Sequence, residues 1–297
     1  MKAFLGSVHH AARERRLHRA GQPVDRRAFV RWAIAAAAAA ATLGRAGRAP
    51  ARSRWWSSLV FGVFENHGFA QVAGLPSHRR LAREGTVLAR YTAVSHPSGP
   101  NYRAMISGAT WGVGETVDTF HPSVASEAAA QAPPIPTYVY HLAGEIPQRH
   151  NPFADLRAPV AAVRRGLDAF RRDLAGALPT PALVYVGWDD ENSMHDGPPA
   201  VADRNLTALL DTLAASRWFS RPDREGRYPA FFFCYDEDDG DGDNRVFASW
   251  WGRGARRGVV SHTRYTHYSF CRTVTDNWGL APLGGGAGAA SIQDVWR

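Results

Sequence analysis

The chain has 297 residues, 45% hydrophobic and 21% charged; it can bury one large α/β core or two smaller ones, and it lacks the composition of a disordered or fibrous protein. Its formal charge of +8 is unevenly placed, because residues 1–50 hold ten basic and two acidic residues while the remaining 25 basic and 25 acidic residues cancel. The body of the protein therefore gives no electrostatic reason to expect nucleic acid as a partner.

The basic leader has a recognisable build. Asp25-Arg26-Arg27-Ala28-Phe29-Val30-Arg31 precedes the uncharged, alanine-rich stretch Trp32 to Gly44, and Ala49-Pro50-Ala51 follows. Twin arginines, a weakly hydrophobic core and a small-x-small site predict a twin-arginine export signal over residues 1–51. The partner is then the twin-arginine export machinery, and the destination periplasmic, cell-wall-associated or extracellular. The apolar run is short for a membrane span, and polyalanine could also form a surface helix. Residues 52–297 are expected to be a single domain.

In that domain, Ser57 to Phe64 is a near-continuous apolar run ending at Glu65-Asn66-His67-Gly68. Such a run suits a strand covered on both faces, as in a parallel sheet. Residues 78–84 read as a helix ending at Gly85, and Thr86 to Val94 as a strand. The stretch Val94 to Gly108 then breaks at Pro97, Gly99 and Pro100 and resumes as a short apolar pattern from Tyr102. Ser98 would stand at a strand-to-helix corner where backbone N–H groups attract anions. Pro100 suits a first helical turn, and Asn101 could cap it or reach the same anion. This stretch alone is equally compatible with an ordinary turn.

Residues 111–136 read as a long surface excursion, and Thr137 to Leu142 as a short strand. Leu156, Val160, Val163, Leu167, Phe170 and Leu174 share a helical stripe, predicting one helix over residues 153–177 with its arginines in solvent. Ala182 to Trp188 and Pro229 to Tyr235 are two more buried-type strands, ending in Asp189-Asp190-Glu191-Asn192 and Asp236-Glu237-Asp238-Asp239. Residues 199–215 read as a helix, Val259 to His262 as a last short strand, and Tyr268 to Gly279 as a helix. The glycine- and alanine-rich tail from Pro282 to Ala290 is expected to be mobile. Cys234 and Cys271 lie in apolar runs and are expected to be buried free thiols. The alternation predicts an α/β three-layer sandwich with a mostly parallel central sheet.

In such a sheet all carboxyl ends lie on one edge, so Glu65, Asn66, Ser98, Asp190, His195, Asp236 and Glu237 could meet there. Hard oxygen donors of this kind hold a divalent metal ion, and a cation beside Ser98 would favour its alkoxide for attack on phosphorus. His96, His195 and His267 could bind phosphoryl oxygens or protonate a leaving group. Each also has a plainer reading, His195 as a hydrogen-bonded structural residue and Asp238 onward as a solvated acidic loop. A calcium loop counted from Asp239 fails, because Asn244 takes the glycine position and Trp250 that of the bidentate glutamate.

The ordered series VFGVFENHGFAQVAG, LAREGTVLARYTAVSHPSGPNYRAMISG, GEIP, MHDG, YDEDDGD and THYSFCRTVTDNWGL, spanning about Ser57 to Leu283, resembles the phosphoesterase family of bacterial acid phosphatases and phospholipases C. That family belongs to the alkaline phosphatase superfamily. The resemblance implies that Glu65 and Asn66 bind metal and that Asp236 and Glu237 complete the site. It implies Ser98 as the nucleophile, and His195 and His267 as contacts to phosphate or metal. Members show Asn-Asp-Met-His where this chain has Asn192-Ser193-Met194-His195, so Asp190 or Glu191 would have to supply that carboxylate from a shifted position. The expected activity is metal-dependent hydrolysis of phosphate esters, with monoesters placed first. A phospholipase C or other phosphodiesterase acting on a phospholipid headgroup is the alternative, and a non-catalytic metal- or phosphate-binding protein a third reading.

Overall fold

The computed structural model describes residues 53–240 and 242–297; the leader therefore lies outside the described residues. The elements in chain order are β1 (Leu59–Phe64), α1 (Pro76–Glu84), β2 (Thr86–Thr92), α2 (Ser98–Ser107), α3 (Val124–Ala129), β3 (Thr137–Ala143), β4 (Ala162–Arg165), α4 (Leu167–Leu174), β5 (Leu183–Trp188), α5 (Pro199–Ala215), β6 (Ala230–Tyr235), β7 (Ala248–Trp251), β8 (Val259–Thr266) and α6 (His267–Trp278). The strands form one eight-stranded sheet in the order β4-β3-β5-β1-β6-β7-β2-β8. β7 is antiparallel to both neighbours, and every other pairing is parallel. This is the expected mostly parallel α/β sheet. α2 packs with α6 and α1 with α5, each beside the sheet.

The central strands form for a simple reason. Every residue of β1, β5 and β6 is buried, so both faces of LVFGVF, LVYVGW and AFFFCY carry side chains out of water, at roughly 1.5–3 kcal/mol per large side chain. Their carboxyl ends then carry the first polar residues of each run onto one edge.

Four expectations need correction. The single helix over residues 153–177 is instead a short turn at Pro152–Asp155, the strand β4 and the helix α4. Pro159 interrupts helical hydrogen bonding there, and Gly166, at φ 85°, turns the chain before α4. β4 pairs with β3 and presents Arg164 and Arg165 at the sheet edge, where charged side chains discourage pairing with another chain. The excursion over residues 111–136 contains α3, whose Val124, Ala125 and Ala128 are buried. The last strand runs on to Thr266. The tail is docked: Gly285 N–H donates to Gly108 O at 2.6 Å, Arg272 Nη1 to Ala287 O at 2.6 Å, and Leu283 is buried. Gly108, at φ 69°, ends α2 in the left-handed region, and a Cβ there would lie 2.1 Å from Leu283 O. Cys234 and Cys271 are buried free thiols, as expected.

Candidate active site

The floor of the site is the junction of β1 and β6. Asn66 follows β1 in the left-handed region at φ 52°, a conformation asparagine tolerates better than most residues. Its N–H donates to Asp236 Oδ1 at 3.0 Å, and that oxygen also accepts the Glu237 N–H at 2.7 Å. Asp236 Oδ2 and Asn66 Oδ1 are buried with no hydrogen-bond partner. Glu65 is buried beside them and accepts a short hydrogen bond from the Tyr102 hydroxyl. Burial first, and then the Asp236 charge, raises the Glu65 carboxyl well above its ordinary range; burial also raises Asp236.

Ser98 is the first residue of α2 and is buried. Its Oγ–H donates to Glu237 Oε1 at 3.1 Å, while Asn101 Nδ2 donates to Glu237 Oε2 at 3.2 Å. Burial, followed by the Asp236 charge, pushes Glu237 up to about 8. His96, half-exposed, has Nδ1 2.9 Å from Glu237 Oε2 and Nε2 3.3 Å from Asp238 Oδ1. The Asn101 side chain is committed to the loop: its Oδ1 accepts the Val94 and Ser95 N–H groups, both at 3.0 Å, and its Nδ2 reaches Ser95 O at 2.9 Å. In this arrangement the Asn101 side chain positions the loop and Glu237.

His267 is likewise held by protein groups. Its Nε2 bonds Asp236 O at 2.6 Å and its Nδ1 accepts from the Tyr91 hydroxyl at 3.0 Å. Both ring nitrogens are used behind Asp236, and burial lowers the ring to about 4. A neutral imidazole in that place ties the β6 end to Tyr91 of β2.

A residue that the sequence reading passed over links the floor to a second cluster. His150, at the end of the short helical turn Gln148–His150 beyond β3, is buried. Its Nε2 lies 3.2 Å from Glu65 Oε2 and its Nδ1 3.2 Å from Asp190 Oδ1, yet neither nitrogen has a hydrogen-bond partner. Burial lowers the ring to about 2. A neutral imidazole carries one N–H, so one of its nitrogens offers a lone pair, which a protonated carboxyl or a cation could satisfy. The ligand atoms of His150, Asp190 and His195 lie within 4.8 Å of one another. Asp190 Oδ2 pairs with Arg149 Nη2 at 2.5 Å, and His195 Nδ1 with Asp196 Oδ1 at 2.7 Å. The only sequence signal for His150 was a histidine shortly after another parallel strand end.

Asp236 interacts with Glu65 and with Glu237, all three carboxyls have raised proton affinities, and Glu65 Oε2, Asn66 Oδ1 and Asp236 Oδ2 are buried without a partner; oxygen donors of this kind suit a divalent cation. Glu65, Asn66, Asp236 and Glu237 follow the ends of β1 and β6, with Ser98 bonded to Glu237.

The fold, a mostly parallel eight-stranded sheet between helices, is that of the alkaline phosphatase superfamily. A superfamily member from Vibrio parahaemolyticus superposes with a TM-score of 0.57 at 13% identity, covering 80% of this chain and 72% of that one. Murine ectonucleotide pyrophosphatase/phosphodiesterase 5 superposes with a TM-score of 0.55 at 9% identity, covering 82% and 100%. The sequence pattern of the phosphoesterase family matches residues 126–281, and the chain belongs to that family, a phosphoric ester hydrolase by class. It is 27% identical to a phosphatidylinositol-3-phosphatase of Mycobacterium tuberculosis, over 81% of this chain and 83% of that protein. It is 29% identical to a phosphate-repressible acid phosphatase of Penicillium chrysogenum, over 74% of this chain. The chain spans less than two thirds of that fungal relative's length, 58%.

Proposed function

We propose that the protein hydrolyses phosphate monoesters, with Ser98 as the attacking group and a divalent cation held by Glu65, Asn66, Asp236 and Glu237. The observation that carries this reading is the pair of buried, unpartnered oxygens, Asn66 Oδ1 and Asp236 Oδ2, beside a serine already bonded to Glu237. Burying such atoms without a partner is costly, and a cation would remove that cost. The relatives named as phosphatases support monoesters over diesters as the substrate class.

A cation bound there would neutralise phosphoryl charge and favour the serine alkoxide. The chain's own groups account for the rest. Glu237 Oε1 accepts the Ser98 proton, and Asn101 holds the other carboxylate oxygen in place. Ser98 Oγ forms a bond to phosphorus while the ester oxygen leaves and takes a proton from His195. Water then attacks the phosphoserine: its oxygen bonds to phosphorus and its proton passes to His195, while the Ser98 oxygen leaves phosphorus and takes back its proton from Glu237, releasing inorganic phosphate. His150 stands between Glu65 and Asp190, and with Asp190 and His195 it forms the group that would hold a second cation.

We further propose export by the twin-arginine route, on the strength of residues 25–51. Among the described residues no helix is long and apolar enough to cross a membrane. The activity is tested with purified protein, a chromogenic phosphomonoester and a matched diester, each with and without chelator. Faster, chelator-sensitive turnover of the monoester is expected. Chelator-insensitive turnover would overturn the cation role, and a faster diester rate would overturn the substrate class.

A further inference from the structure

The first turn of α2 supplies the backbone N–H groups nearest Ser98, and Pro100 in that turn has none to give. The Gly99 N–H, the helix-start donor directly after Ser98 in the chain, is already engaged: it donates to Glu115 Oε2 at 3.1 Å. Glu115 belongs to the excursion that follows α2, and it is exposed.

This contact is built from beneath. The guanidinium of Arg103, fully buried in α2, donates to three carbonyls of the excursion: Thr110 O and Gly114 O, both at 2.5 Å, and Glu115 O at 3.0 Å. Asp155, paired with Arg103 at 2.9 Å, accepts the N–H groups of Val117 at 2.7 Å and Asp118 at 3.1 Å. The main chain of Glu115 is so close to α2 that a Cβ at residue 99 would lie 1.9 Å from Glu115 O; only glycine fits there. An ion pair buried in the core thus delivers a carboxylate onto a helix-start donor of the kind that binds phosphoryl oxygens.

We propose that Glu115 is a charge-selecting gate at the phosphate position. Its carboxylate occupies the Gly99 N–H that a phosphoryl oxygen would take, and an incoming ester must displace it. The negative charge opposes a dianionic group more than a monoanionic one, so it weakens retention of inorganic phosphate after turnover and narrows the preference for monoesters over diesters. This rests on the reading of Ser98 as the attacking group.

The test uses the full domain with Glu115→Gln, which keeps an acceptor and removes the charge, and Glu115→Ala, which removes both. Inhibition by inorganic phosphate, and KM and kcat on a phosphomonoester and a matched diester, are measured for each. Expected for Glu115→Gln is an inhibition constant for phosphate and a monoester KM lower by about three- to tenfold, a smaller change for the diester, and no gain in kcat. Glu115→Ala should move further in the same direction. A variant that had merely loosened the excursion would instead raise KM for both esters, which overturns the gate. So does an unchanged inhibition constant in both variants. Ser98→Ala is assayed alongside: if it is inactive while Glu115→Gln leaves phosphate inhibition unmoved, only the gate fails. If Ser98→Ala is fully active, the site reading and the gate fall together.

Discussion

The Asn66 N–H donates to Asp236 Oδ1 at 3.0 Å, a bond that ties the carboxyl ends of β1 and β6 into one unit. It leaves the other oxygen of Asp236 and the side-chain oxygen of Asn66 buried and unpartnered. The Asn66 backbone and one Asp236 oxygen thus make the junction, leaving one side-chain oxygen of each residue free to ligate a cation.

The two roles separate by mutation. Asn66 sits at φ 52°, which glycine adopts without strain, so Asn66→Gly keeps the backbone bond and removes only the side-chain oxygen. Cation affinity, measured by calorimetric titration with manganese or zinc, is expected to fall by about tenfold or more. The melting temperature in chelator should stay near that of the parent. Unchanged affinity would remove Asn66 from the cation site.

Arg103 and Asp155 are both buried, with Nη1 and Oδ2 2.9 Å apart. Asp155→Asn leaves the guanidinium charge uncompensated, and loss of about 3 kcal/mol or more in denaturant titration is expected. The segment from Thr110 to Thr119 should become the first site of limited proteolysis, because two of its N–H groups lose a charged acceptor. Parental stability and an unchanged cleavage pattern would contradict this.

His78 in α1 is buried between the Tyr235 hydroxyl at 3.0 Å and Ser77 Oγ at 3.1 Å, and burial lowers it to about 3. Above about pH 6.5 the ring is neutral in both folded and unfolded chains, and its contribution is complete. As pH falls from there towards about 3 the unfolded chain takes up a proton that the folded one does not, so stability declines, by up to roughly 5 kcal/mol for a shift of this size. Melting curves of His78→Gln should therefore fall less steeply than the parent between pH 6.5 and 4. Parallel slopes would show that His78 does not drive acid sensitivity.

The elements legible in the sequence were those whose pattern has one cause. β1, β5 and β6 are apolar on both faces and end abruptly in acids, so Glu65, Asn66, Asp236 and Glu237 could be assigned to one edge before any coordinates. The stretch 153–177 misled because arginines alternating with apolar residues suit either a surface helix or an edge strand, and the decision came from β3, which needed a partner. β7 is four residues long, too short for an alternating pattern to register. The functions of His267 and Asn101 depended on which way the side chains face, and each faces protein. His150 was hidden for the opposite reason: it follows a short irregular segment, and its importance comes only from standing between Glu65 and Asp190.

The central claim is that Ser98 attacks phosphorus. The direct measurement is rapid acid quench of the enzyme during turnover of a phosphomonoester, followed by mass spectrometry of the peptide that carries residue 98. The account predicts a phosphoryl group on Ser98 that forms and decays within the turnover time, and loss of at least about a thousandfold in kcat for Ser98→Ala. A Ser98→Ala protein that turns over at the parental rate, or a phosphoryl group found on another residue, would contradict it.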